Sequence, residues 1–181
     1  MYEKLSNLKK RLQQMKQNRT TRQNGQTFHF SPFSKKQKQV LTWWCKESPV
    51  HDKDGIIADG AIRSGKTVSM SLSFVMWAMS SFAGQNFAMC GKTIGSFRRN
   101  VLFWLKLMLR SRGYSITDHR ADNLVVVRKN GIENYFYIFG GKDERSQDLI
   151  QGITLAGVFF DEVALMPESF VNQATGRCSV E

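Results

Sequence analysis

Residues 60–67 constrain the fold of this chain more than any other segment. They are Gly60, Ala61, Ile62, Arg63, Ser64, Gly65, Lys66 and Thr67, which spell G-x-x-x-x-G-K-[ST]. An apolar run at 55–58 precedes them and an apolar helical pattern follows, so we expect a strand, a loop and a helix in succession. Glycines let backbone N–H groups turn toward phosphate oxygens, and the next helix adds its positive dipole end. The segment therefore predicts a phosphate-binding loop, in which Lys66 reaches phosphates and the Thr67 hydroxyl ligates Mg²⁺.

Length and cysteine usage narrow the class of protein. A chain of 181 residues suits one α/β domain whose core needs no disulfides. Cys45, Cys90 and Cys178 stand far apart without C-x-x-C spacing, which disfavours zinc and favours reduced thiols in the cytosol. We find no signal peptide and no run of about eighteen apolar residues, so we expect an intracellular protein with no membrane partner.

Positive charge is concentrated at the N-terminus. Residues 1–40 carry ten Lys and Arg against the single acid Glu3, although the whole chain carries 26 against 15. Such a segment could neutralise DNA phosphates and give salt-sensitive affinity, and a solvated arm without a partner explains the charge equally well. We expect a basic helix and a polar linker over residues 1–27, and a folded domain over residues 28–181.

Apolar spacing and turn residues predict the order of elements. Helices are expected from Ser34 toward Pro49, over 66–82, over 94–109 and after Pro167. Strands are expected at 86–90, 124–128, 132–139 and 155–160, and Asn130-Gly131 suits a hairpin turn. The predicted fold is α/β, with a mostly parallel sheet flanked by helices and an inserted β-hairpin.

A pair of acids follows the last predicted strand. Open α/β sheets bind ligands at the carboxyl ends of their strands, where Asp161 and Glu162 would lie. Asp161 is a candidate Mg²⁺ ligand, and Glu162 is placed to polarise an attacking water as general base. Many strands end in a charged turn, so the acid pair indicates a catalytic site only in combination with the phosphate-binding loop earlier in the chain.

Two further side chains are candidates on chemical grounds. Arg63, inside the loop, could stabilise charge on the γ-phosphate as hydrolysis proceeds, and the alternative is an exposed side chain at an unconstrained loop position. Gln37 could read the edge of adenine, because an amide both donates and accepts hydrogen bonds.

Three segments in order resemble one family. Residues 33–37 (FSKKQ) precede a Trp-rich helix, residues 60–67 contain an arginine, and residues 157–163 read GVFFDEV. Together they resemble the ATPase domain of the large terminase subunit of tailed bacteriophages and prophages, the motor that drives DNA into a capsid. The resemblance covers roughly residues 28–181.

The resemblance implies a P-loop NTPase of the RecA-like (ASCE) class that binds ATP and Mg²⁺. It assigns Gln37 to adenine, Arg63 to the γ-phosphate, Lys66 and Thr67 to phosphate and Mg²⁺, Asp161 to Mg²⁺ and Glu162 to catalysis. It also implies double-stranded DNA, the portal protein and the small terminase subunit as partners, a homo-oligomeric ring, and a place in the bacterial cytoplasm and transiently at the prohead portal. Arg145 is a candidate for the family's arginine that acts on a neighbouring subunit.

A complete large terminase continues into a coupling motif and a nuclease domain with an acidic metal cluster, and this chain ends at Glu181 without either. We therefore expect nucleotide binding, weak hydrolysis and no nuclease activity. The alternatives are a nucleotide-dependent fragment that binds DNA or a partner without turnover, and another P-loop DNA motor such as a helicase.

Overall fold

The structure, a computed structural model, describes residues 32–61, 63–142, 148 and 150–180. Five strands form one sheet in the order β2-β3-β4-β1-β5. The strands are β1 (Asn86–Gly91), β2 (Ser115–His119), β3 (Leu124–Lys129), β4 (Ile132–Gly140) and β5 (Gly157–Phe160). The α-helices that lie wholly within the described residues are α1 (Lys35–Leu41), α2 (Lys66–Ser81), α3 (Ile94–Phe97), α4 (Phe103–Ser111) and α5 (Glu168–Thr175). The predicted N-terminal helix and linker over residues 1–27, and the predicted domain boundary, lie outside the described residues.

Strand β1 is the centre of the fold. It pairs in parallel with β4 on one side and with β5 on the other. Phe87 and Met89 join the core beneath α2 and α4, whereas Ala88 and Cys90 join the core on the opposite face, against α5. A strand buried on both faces reads as a continuous apolar run, which is how residues 87–90 read in the sequence.

The predicted hairpin is confirmed. Asn130 and Gly131 have φ of 51° and 81°, the two positive values that a type I′ turn requires, and β3 pairs antiparallel with β4. Strand β2, which the sequence analysis missed, adds antiparallel to β3. Its residues, SITDH, are mostly polar and half-exposed, so it carries little apolar signal. The described sheet is therefore mixed, parallel around β1 and antiparallel in the β2-β3-β4 part.

Ion pairs join strand β2 to α4 and to the helical segment that precedes α4. Asp118 accepts hydrogen bonds from Arg98 (2.8 Å) and Lys106 (2.7 Å). Burial alone would raise the pKa of Asp118, but the hydrogen bonds and charges of its two partners outweigh burial and lower the pKa. The helical region 94–111 is amphipathic as predicted, with a π-helical segment at Arg98–Leu102. Arg98 and Lys106 thus pair with Asp118 and help to hold the fold together.

Two predicted elements differ from the structure. Residues 55–58 form no strand, and Ile57 is 93% exposed. A short apolar run becomes a strand only when a neighbour pairs with it, and no described strand lies beside this one. Helix α1 ends at Leu41 rather than near Pro49. Beyond it the backbone forms three-residue turns, in which Cys45 N donates to the Thr42 carbonyl (3.0 Å) and Ser48 N to the Cys45 carbonyl (2.8 Å), in place of helical hydrogen bonds.

A buried amide fixes the end of α2 to β4. Asn134 is fully buried; its Nδ2 donates to the carbonyls of Ala78 (3.1 Å) and Phe82 (2.9 Å), and its Oδ1 accepts from Gln85 N (2.9 Å). Without this side chain, these bonds would have no replacement within the apolar core around them. Asn134 therefore anchors the C-terminal end of the helix that follows the phosphate-binding loop.

We expect the substitution Asn134→Ala to lower the free energy of unfolding by about 2–3 kcal/mol, because it leaves the partly buried Gln85 N–H without an acceptor. Urea titration monitored by circular dichroism measures the change. The exposed Asn172 on α5 supplies the control, and Asn172→Ala should change stability by less than about 0.5 kcal/mol. Equal effects of the two substitutions would contradict the anchoring role.

Candidate nucleotide-binding site

The phosphate-binding loop and the acid pair meet in the structure. Thr67 Oγ1, in the first turn of α2, donates a hydrogen bond to Asp161 Oδ1 at 2.9 Å. Asp161 follows β5 directly, and its N–H donates to the Cys90 carbonyl (2.8 Å), which continues the pairing with β1. Two residues that lie 94 positions apart in the sequence are thus joined at the carboxyl ends of the parallel strands.

Gly157 allows this meeting. A Cβ atom at Gly157 would lie 2.7 Å from Trp77 Cζ3 and 2.8 Å from Trp77 Cη2, closer than side chains pack. Trp77 belongs to α2 and Gly157 begins β5, so the missing side chain lets the helix lie close against the strand. In the sequence Gly157 stands only within a family motif, and no local pattern predicts its role in helix packing.

The loop itself is folded around Lys66. The Lys66 ammonium donates to the carbonyl oxygens of Gly60 and Ala61, the latter at 2.8 Å. Gly65 has φ of 81° and is the N-cap of α2, and its carbonyl accepts from Ser69 N and Ser69 Oγ. The first N–H groups of α2 therefore open toward the loop, the arrangement that binds phosphates at helix N-termini.

Two candidate residues hold a backbone conformation that is costly for them. Four described non-glycine residues have positive φ: Arg63 (63°), Asn123 (50°), Asn130 (51°) and Glu162 (58°). Asparagine adopts this region readily in turns, whereas arginine and glutamate do so at a cost of about 1–2 kcal/mol each. Such strain clusters at functional sites, and here it occurs at Arg63 and Glu162, which the sequence predicts to be site residues. Both side chains are exposed.

Burial and a neighbouring charge act on Asp161. Desolvation raises the pKa of its carboxyl, the adjacent Glu162 carboxylate raises it further, and the hydrogen bond from Thr67 lowers it. The net shift is upward, so the site holds a carboxylate that the protein alone does not fully stabilise. A nearby cation would favour the ionised form.

Gln37 lies beside the loop and its amide is already engaged. Its Oε1 accepts from Ser34 N and its Nε2 donates to the Ser64 carbonyl, both at 2.9 Å. Ser34 caps α1 as the sequence predicted, through its hydroxyl and Gln37 N (3.3 Å). No sequence pattern predicts the contact with Ser64, which lies 27 residues away.

Some predicted site residues lie outside the described part of the chain. They are Ile62, within the loop, and Arg145, the candidate that would act on a neighbouring subunit. Among the described residues, no cluster of three or more His, Cys, Asp or Glu side chains is placed to hold a metal ion. In the same residues, no helix has the length and apolar character needed to cross a bilayer.

The fold and the site together define the class. A loop of sequence GAIRSGKT leads into α2, and an acid follows the strand against which α2 packs, which is the arrangement of a P-loop NTPase fold. Residues 57–177 match the family described as terminase large subunit, T4likevirus-type, N-terminal. The chain therefore belongs to the terminase large subunit family. No curated protein sequence matches it.

Solved structures agree with this assignment. A large terminase from a thermophilic bacteriophage is 72% identical, with a TM-score of 0.82, over 83% of this chain. A structure of the same terminase with ADP is 70% identical with a TM-score of 0.79, and one with ATP-gamma-S is 67% identical with a TM-score of 0.77. The chain spans about 37% of the length of that phage terminase.

We expect Asp161→Asn to stabilise the fold at neutral pH. A carboxyl whose pKa is raised by folding binds more protons in the folded state, so its contribution to stability falls as pH rises above its ordinary value of 3.8. Asparagine removes the charge and keeps an oxygen for Thr67. Urea midpoints at pH 7 and pH 3.5 measure the effect, which should be present at the first and vanish at the second. Asp122→Asn, at an exposed position, should change neither midpoint; a destabilised Asp161→Asn at pH 7 would contradict the interpretation.

Proposed function

We propose that this chain binds ATP and hydrolyses it as part of the motor of a terminase large subunit, which powers the packaging of double-stranded DNA into a prohead. The observation that carries the proposal is the hydrogen bond between Thr67 and Asp161, because it brings the phosphate-binding loop to an acid at the end of β5. The large terminase of the thermophilic bacteriophage, seen with ADP and with ATP-gamma-S, supports the choice of nucleotide.

The loop residues divide the work of binding. The N–H groups of residues 60–67 and of the first turn of α2 would cradle the phosphates, and Lys66 would exchange its hydrogen bonds with Gly60 and Ala61 for the β- and γ-phosphates. Arg63, exposed in the loop, would approach the γ-phosphate and offset its negative charge. The assignment of Gln37 to the adenine base stays a prediction.

Glu162 would act as the general base. It lies one residue beyond Asp161, exposed and held in the left-handed conformation, so its carboxylate is free to face a water molecule beside the γ-phosphate. Polarising that water makes its oxygen a better nucleophile toward phosphorus. Asp161 is partly buried and bonded to Thr67, which suits it to a binding role rather than to proton transfer.

The residues present also fit a magnesium ion. Hydroxyl and carboxylate oxygens are the ligands that Mg²⁺ accepts, and Mg²⁺ at nucleotides commonly takes only one or two protein oxygens together with phosphates and water. Thr67 Oγ1 and Asp161 Oδ1 supply two such oxygens side by side. Magnesium bound there would neutralise charge on the β- and γ-phosphates.

Packaging requires more than this chain's site. We propose, from the family, that the portal protein and the small terminase subunit are partners, that the motor assembles as a homo-oligomeric ring with Arg145 as the candidate arginine in trans, and that it works in the host cytoplasm and transiently at the prohead portal. We expect no nuclease activity from these residues, and a plasmid-nicking assay with Mg²⁺ or Mn²⁺ tests this.

We expect Lys66→Ala to weaken ATP binding by about 10- to 100-fold, because it removes a charged hydrogen bond to phosphate. Glu162→Gln should keep ATP affinity and lower turnover by about 10²- to 10⁴-fold, the contribution typical of a general base. Calorimetry measures binding, and phosphate release with and without long duplex DNA measures turnover. Lys53→Ala, at an exposed position, should behave as wild type.

These measurements separate the proposed motor from a nucleotide-binding module and test the assignment of the site. A wild-type chain that binds ATP without turnover would replace the motor by a nucleotide-dependent binding module. Unchanged binding and turnover in both site variants would contradict the assignment of the site.

We expect the N-terminal segment to carry part of the DNA affinity. Deleting residues 1–27 should weaken binding to duplex DNA and flatten the plot of log K against log salt by about 0.9 for each DNA phosphate that the segment neutralises. Filter-binding titrations over several salt concentrations measure the slope. Replacing the seven Lys and Arg residues of 1–27 with Gln should have the same effect at unchanged length. An unchanged slope would assign the segment to assembly instead.

A further inference from the structure

The side chain of Gln37 is held at both ends of its amide. Oε1 accepts a hydrogen bond from Ser34 N, in the same helix cap, and Nε2 donates to the carbonyl oxygen of Ser64, in the phosphate-binding loop. The first hydrogen bond is local and orients the amide. The second spans 27 residues and joins α1 to the loop.

The same side chain lies against the glycine that follows Ser64. A Cβ atom at Gly65 would be 2.5 Å from Gln37 Nε2, so a larger residue there would displace the Gln37 amide from its place beside the loop. Gly65 has φ of 81°, a conformation that also favours glycine. Glycine at position 65 therefore suits both the backbone conformation there and the closeness of the Gln37 amide.

Helix α1 is a firm base for this interaction. Ser73 Oγ, on α2, donates to the carbonyls of Val40 (2.7 Å) and Leu41 (3.2 Å) at the opposite end of α1. Ser73 is 1% exposed and Leu41 is 8% exposed, so the attachment lies in the core. The helix is therefore fixed to α2 at one end and to the loop at the other.

The hydrogen bond to the Ser64 carbonyl also determines the direction of the N–H group of the next residue. In a trans peptide the N–H and the carbonyl point to opposite sides of the chain. When Gln37 holds the Ser64 carbonyl on the α1 side, the N–H of Gly65 faces the other way, away from α1. Inward-facing N–H groups are what a phosphate-binding loop uses to hold its anion.

We infer that Gln37 is a positioning residue for the phosphate-binding loop: by holding the Ser64 carbonyl, it orients the Ser64–Gly65 peptide so that Gly65 N–H faces the phosphates. The inference rests on the proposed function in one respect, that the loop binds polyphosphate. It differs from the adenine assignment, because a positioning residue affects any polyphosphate ligand whether or not a base is attached.

Inorganic tripolyphosphate, which has no base, separates the two roles. Gln37→Met keeps the size of the side chain and removes both hydrogen bonds without adding charge. We expect it to weaken the binding of magnesium tripolyphosphate and of MgATP by the same factor, about tenfold, in calorimetry on the 181-residue chain. A weaker affinity for MgATP with unchanged tripolyphosphate affinity would overturn the inference in favour of base recognition.

Two variants serve as matched controls. Gln39→Met makes the same change at an exposed position of α1 and should leave both affinities unchanged. Ser34→Ala removes the cap hydroxyl but leaves the backbone N–H that orients Gln37, so tripolyphosphate affinity should stay within about twofold. A tenfold weaker affinity in Ser34→Ala would assign the effect to fraying of α1 and overturn the inference.

A measurement without ligand tests the hydrogen bond itself. Removal of a hydrogen bond at a carbonyl moves its ¹³C resonance upfield, so the Ser64 carbonyl signal should move in Gln37→Met and not in Gln39→Met. An unmoved signal would overturn the inference. Failure of the wild-type chain to bind tripolyphosphate would instead contradict the proposed function, so the two failures are distinguishable.

Discussion

The close packing of α2 against β5 is the interaction on which the site depends. Gly157 leaves room for Trp77, and Phe74 packs beside it with its ring centroid 5.7 Å from that of Trp77. This packing brings the start of α2 near the end of β5, where Thr67 reaches Asp161. A larger residue at 157 would move the helix and the loop together, because interiors packed at this density transmit strain. The distance between the loop and the acid is therefore set by packing in the core, at residues remote from the loop itself.

Local patterns predicted the elements that short-range chemistry determines. The helix over 66–82 is observed as α2, and the Asn130-Gly131 turn produced the expected hairpin, since both depend on neighbouring residues. Strand pairing is not local. Strand β2 has a polar sequence and exists because β3 offers a partner, whereas residues 55–58 have an apolar sequence and no described neighbour to pair with. Sequence periodicity cannot distinguish these cases, because it contains no information about the partner.

The candidate site shows the same difference between local features, which the sequence predicts, and long-range contacts, which it does not. Lys66 and Thr67 were identified from a contiguous motif, and Asp161 from its place after an apolar strand. The left-handed conformation of Glu162 was not predictable, because no residue type at that position signals it. Nor was the hydrogen bond between Gln37 and Ser64, since bonds between distant segments depend on how helices dock. What the structure adds is therefore mostly the support of the site. Gly157 leaves room for Trp77, and Ser73 attaches α1 to α2. The Gln37 amide holds the loop.

The backbone at Arg63 and Glu162 has a consequence for protein engineering. Glycine would occupy either position without the strain that a side chain incurs there. Substituting glycine at Arg63 or Glu162 is therefore the simplest way to raise the stability of the fold. Replacing them would also remove the two side chains that we propose act on a terminal phosphate. Thermostability screens of this domain that ignore turnover would favour such substitutions and select folded chains that lack the proposed catalytic side chains.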